Sequence, residues 1–91
     1  MRAALALALL LALAAPAAAT VPPKDCGNLR ADGKRYGVKS HLLRCVTSRR
    51  HARRWLDTRT TPAGWRCTRP RGTRLKLYCT RGERALFVLR R

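Results

Sequence analysis

Four cysteines, Cys26, Cys45, Cys67 and Cys79, constrain this chain more than any other feature. They are an even set, and no two of them form a C-x-x-C pair. His41 and Cys45 are four apart and could share one helix face, but no second pair completes a zinc set. In an exported protein such a set reads as two disulfides rather than a metal site. No metal and no cofactor is expected.

Export is read from the first nineteen residues, MRAALALALLLALAAPAAA. Arg2 is a short positive start, Ala3 to Ala15 an apolar run, and Pro16 breaks it. Small residues at Ala17 and Ala19 then suit cleavage before Thr20. The apolar run is short for a spanning helix, which needs about 20 residues. No cysteine stands at the cleavage point to carry a lipid. The expected organisation is a cleaved signal peptide over 1–19, an extended lead-in over 20–25 and a single small disulfide-stabilised domain over 26–91. The product is secreted and extracellular, with no transmembrane anchor after processing.

Staples matter because the core is thin. After cleavage 72 residues are left, of which 25, about a third, are apolar. A chain of this length buries only about 60% of its unfolded surface. Two disulfides contribute about 2–4 kcal/mol each, mainly by restricting the unfolded chain.

The strongest local pattern is Leu42 to Asp57, LLRCVTSRRHARRWLD. On a helix, Cys45, Ser48, Ala52, Trp55 and Leu56 fall on one side, and Arg49, Arg50, Arg53 and Arg54 on another. Ser40 is the expected N-cap, although Leu43 stands where a capping box would have Glu. Leu42 and Leu43 would bridge strand and helix. Thr58 to Gly64 is rich in Thr, Pro and Gly and reads as a loop.

The remainder reads as β. Asp32-Gly33 is a turn signal between Cys26–Arg30 and Lys34–Lys39. Trp65–Arg69 and Leu75–Cys79 alternate apolar and polar residues, and Pro70-Arg71-Gly72 and Arg81-Gly82-Glu83 are turns. Ala85 to Leu89 is apolar on both faces, as a central strand is. The expected fold is α+β: one amphipathic helix packed on a small, largely antiparallel sheet of three to four strands, in the order β-α-β-β-β. Cys45 on the buried helix side would face the sheet. Of the three pairings, Cys45–Cys67 with Cys26–Cys79 is preferred.

The ordering Leu43-Arg44-Cys45, Gly64-Trp65-Arg66-Cys67 and Cys79-Thr80-Arg81-Gly82 before an apolar strand resembles a loose set of small secreted four-cysteine proteins of high-GC Gram-positive bacteria. It covers roughly Tyr36 to Leu89. The resemblance implies secretion and an α+β arrangement, and it transfers no functional residues.

Charge bounds the function. Lys and Arg number 21 against four Asp and Glu, giving +17. Loss of Arg2 lowers this by one. Such a field favours encounter with anything anionic. The candidate contact surface is the stripe Arg49, Arg50, Arg53 and Arg54, whose planar forks suit phosphate and carboxylate. A solvated face whose alkyl stems cover apolar surface explains the same stripe without a partner. So does codon bias, since seventeen of the 21 cations are Arg.

Trp55 and Trp65 are read as core, and five aromatic residues in all make no stacking platform. The pattern argues against sequence-specific nucleic-acid binding. Catalysis is not expected: His41 and His51 do not converge on one helix face, and no catalytic motif is present. The expected function is therefore non-enzymatic contact, as a monomer, with extracellular polyanions or the cell envelope. The alternative is a protein-binding inhibitor or toxin-like effector with a specific partner. Membrane disruption is disfavoured, because the helix would have no free apolar face for lipid.

Overall fold

Two tight turns set the sheet. At Asp32-Gly33 both residues have positive φ, 52° and 72°. That is the backbone of a two-residue hairpin turn whose twist matches its strands, and Asp-Gly adopts it at low cost. It joins β1 (Lys24–Ala31) to β2 (Lys34–His41). At Gly82-Glu83 only the glycine is positive, at 61°, the other favoured hairpin geometry. It joins β4 (Leu75–Arg81) to β5 (Arg84–Arg90). The helix α1 (Cys45–Thr58) and the short strand β3 (Arg66–Thr68) lie between the hairpins. The computed structural model describes residues 21–91. The expected signal peptide and Thr20 lie outside the described residues.

The sheet has five antiparallel strands in the order β1-β2-β5-β4-β3. The α+β class, the single helix and the two disulfides agree with expectation. The strand count and element order do not, because both arms of the first hairpin join the sheet, giving β-β-α-β-β-β. β1 also begins at Lys24, inside the expected lead-in, where Lys24 and Asp25 pair with Ser40 and Lys39. Its alternation is hard to see in sequence, because Gly27 has φ 92° and the register shifts between Asp25 and Asn28. β5 is the central strand, as its apolarity requires.

One sheet face and one helix face make the core. Val38 and Ser40 on β2 stand opposite Val88 and Leu86 on β5, which in turn oppose Leu77 and Cys79 on β4. All six are wholly buried. Ala52, Trp55 and Leu56 close over them from α1. The helix packs mainly over β1 and β2, and this decides the cysteine pairing. Cys45, at the start of α1, is bonded to Cys26 on β1. Cys67 and Cys79 are direct cross-strand partners on β3 and β4, and are bonded to each other. The preferred pairing of Cys45 with Cys67 and Cys26 with Cys79 is therefore wrong. The helix lies over the β1–β2 end of the sheet, and β3 pairs at the other edge.

The helix also starts later than its periodicity suggests. Ser40 belongs to β2 and is buried, and its hydroxyl donates to the carbonyl of Leu43. Arg44 occupies the N-cap position with no side-chain cap bond. Leu42 has φ 55° and cannot begin a right-handed helix. The chain turns there, between strand and helix. At the other end Arg59 takes a left-handed conformation, φ 60°, and its N–H donates to the Trp55 carbonyl, a common helix stop.

Candidate anion-binding surface

The four stripe arginines divide into two pairs. Arg49 Nη1 donates to the carbonyls of Cys26 and Asn28 at 3.0 and 3.1 Å. Arg53 Nη1 donates to the carbonyl of Arg30 at 2.8 Å and approaches Asp57 Oδ1 at 3.3 Å. Asn28 and Arg30 are two apart on β1, so their carbonyls point to the same side of the strand. β1 is an edge strand. Arg49 and Arg53 thus fasten the helix to the free edge and occupy acceptors that another strand could otherwise use. Arg50 and Arg54 are exposed. They make no side-chain hydrogen bond or ion pair among the described residues. Of the four, these two alone leave their guanidinium groups uncommitted as a binding stripe would.

A second group of cations gathers beyond the helix end. A cleft of about 630 Å³ is lined by Tyr36, Trp55, Arg59, Arg69, Arg71 and Lys76. Arg59 is placed by the left-handed turn that ends α1, and its guanidinium lies 4.4 Å from the centre of the Trp55 ring. Arg69 and Arg71 come from the β3–β4 connection, and Lys76 from the irregular start of β4. No carboxylate lines the cleft. Sequence reasoning missed these residues, since Arg59 and Lys76 lie seventeen positions apart and only tertiary packing joins them. The cations flanking Pro70 were the one visible signal.

Among the described residues there are two ion pairs, Arg53–Asp57 and Arg91–Asp25, both exposed. Asp25 Oδ1 accepts the Gly27 N–H at 2.9 Å. That bond holds its carboxyl below the ordinary range, and the nearby Arg91 adds to the effect. Among the described residues most of the positive charge has no carboxylate partner.

Trp55 is buried in the core, as expected. Trp65 is half-buried, with its ring 5.7 Å from that of His51. Burial lowers the His51 pKa from its ordinary value, and Arg50 and Arg54 lower it further. His41 ends β2. On the sheet face away from α1, Tyr78 and Phe87 pack at 5.1 Å between ring centres, with Lys39 directly across from Phe87. Both rings lie on strands the sequence predicts, and the register across the Gly82-Glu83 turn brings them together.

Among the described residues no three His, Cys, Asp or Glu side chains are grouped to hold a metal ion. No helix there is long and apolar enough to cross a membrane. Neither family models, curated proteins nor solved structures match the chain.

Proposed function

We infer that this is a secreted, non-enzymatic protein that binds extracellular polyanions or anionic polymers of the cell envelope. The carrying observation is the cleft where Arg59, Arg69, Arg71 and Lys76 converge with no carboxylate in the lining. Arg50 and Arg54, exposed on α1, extend the positive surface. Two disulfides support an oxidising compartment. The contact is sequence-independent and salt-sensitive, as guanidinium–phosphate or guanidinium–sulfate pairing is. It falls to the cleft rather than to the whole arginine stripe, because Arg49 and Arg53 are held by β1.

Retention on immobilised heparin tests this. Reversal of Arg59, Arg69 and Arg71 to Glu should lower the eluting salt more than reversal of three exposed cations outside the cleft, Lys34, Arg35 and Arg66. Equal losses would make the charge merely global. Saturable capture of one protein partner that survives high salt would favour the inhibitor or effector reading instead.

A further inference from the structure

The end of α1 opposite the cleft carries a feature of a different kind. Among the described residues the exposed large apolar side chains are Val21 (64%), Leu42 (60%) and Val46 (58%). Val21 and Leu42 line one shallow depression together with Lys24 and Arg44. On its other flank Leu42 lines a second, with Arg81, Glu83 and Arg84 of the β4–β5 turn. Val46 stands on the first turn of α1. Apolar side chains are thus gathered at one end of the fold, with four cations and one carboxylate around them.

Leu42 is also the residue whose backbone is least suited to it. Its φ of 55° lies in the left-handed region, which leucine enters only against steric repulsion. Asn or Gly would make the same turn without that cost. The leucine is not repaid by burial, since its side chain is mostly in solvent. A strained backbone that presents an apolar side chain to water points to a contact made outside the fold.

We propose that this end is a membrane-contacting tip. Leu42, aided by Val21 and Val46, enters the headgroup–acyl boundary of an anionic bilayer, while Lys24, Arg44, Arg81 and Arg84 meet the lipid phosphates. Charge complementarity selects the occupant: an apolar tip ringed by cations suits a surface that is negative outside and apolar beneath. The buried helix face stays buried, so the argument against an amphipathic helix in lipid is untouched. Leu42 belongs instead to the turn before the helix, Val21 to the segment before β1, and Val46 to the exposed side of the first helical turn. The tip does not depend on the polyanion cleft, from which it is separated by the 14 residues of α1, about 20 Å of helix.

The test is sedimentation of the processed protein with vesicles, either of phosphatidylcholine alone or of equal parts phosphatidylcholine and phosphatidylglycerol. The protein should bind the anionic vesicles and largely ignore the neutral ones. Leu42→Asn should weaken that binding about tenfold, equivalent to about 1.4 kcal/mol. Its thermal midpoint should be unchanged or higher, and its elution from heparin unchanged. Arg44→Glu with Arg81→Glu should weaken vesicle binding as well. Leu42→Gly, which relieves the backbone in another way, should behave like Leu42→Asn. The proposal is overturned if Leu42→Asn binds anionic vesicles as tightly as the parent, or if the parent does not bind them. It is also overturned if the parent self-associates through Leu42 in vesicle-free solution. Loss of heparin retention on reversal of the cleft charges, with vesicle binding still dependent on Leu42, separates the two surfaces.

Discussion

Arg49 offers the sharpest test of how this fold uses its charge. Its Nη1 bridges the Cys26 and Asn28 carbonyls at 3.0 and 3.1 Å, one bond part-buried and the other exposed. A hydrogen bond from a charged donor contributes about 1.5–3 kcal/mol when shielded, and less where water competes. Loss of both bonds, with the two carbonyls free to find water, should therefore cost about 1.5 kcal/mol in Arg49→Ala. For a domain of this size that corresponds to a fall in Tm of roughly 6–12 °C. Arg50 is on the same helix, exposed and without a side-chain partner among the described residues, so Arg50→Ala should stay within about 0.5 kcal/mol of the parent. Both substitutions remove one positive charge, so relief of the overall repulsion is common to both and the difference isolates the edge-strand bonds. Arg49→Lys keeps the charge but loses the planar fork, and should recover only part of the loss. Urea unfolding followed by Trp55 and Trp65 fluorescence gives the free energies. Equal midpoints for Arg49→Ala and Arg50→Ala would show that the contacts with β1 contribute nothing, and the division of the stripe would fall with them.

Two further outcomes follow from the architecture. Cleavage after Arg59 without reduction should release two covalently separate pieces, because Cys26–Cys45 and Cys67–Cys79 lie on either side of it; pieces still joined until reductant is added would contradict the pairing. His51 should make stability depend on pH. Its folded pKa lies below the ordinary 6.5, through burial first and Arg50 and Arg54 second, so the unfolded chain binds more protons between the two values. The contribution is complete above about 6.5 and is lost as pH falls through the folded value. His51→Gln should flatten the fall of the urea midpoint as pH drops below 6.5, and an unchanged slope would assign the dependence elsewhere.

Local chemistry was legible in the sequence wherever a few neighbouring residues settle the backbone. Asp32-Gly33 and Gly82-Glu83 are hairpin turns because Gly accepts a positive φ, and Asp accepts it more readily than most residues. Leu75, Leu77 and Cys79 alternate because strands have period two. Ala85 to Leu89 is central because it is apolar on both faces. The face Ser48–Ala52–Trp55–Leu56 is buried because it repeats at helical spacing. The start of the helix was misread, because an apolar pair and a serine look like a capped first turn. The left-handed backbone at Leu42 and the burial of Ser40 place that turn outside the helix.

What the tertiary structure decided is what depends on residues far apart in the chain. Four cysteines admit three pairings, and the choice followed only from α1 lying over β1 and β2 while β3 pairs at the far edge. Four arginines on one helix are alike in sequence. The free edge of β1 passes beneath two of them, so Arg49 and Arg53 became structural and Arg50 and Arg54 stayed in water. The cleft of Arg59, Arg69, Arg71 and Lys76 exists because a helix end, a connection and a strand start meet there. Periodicity and turn chemistry are properties of neighbours, and they settle the elements. Which side chains share a surface is a property of how those elements pack, and no single stretch of this sequence carries it.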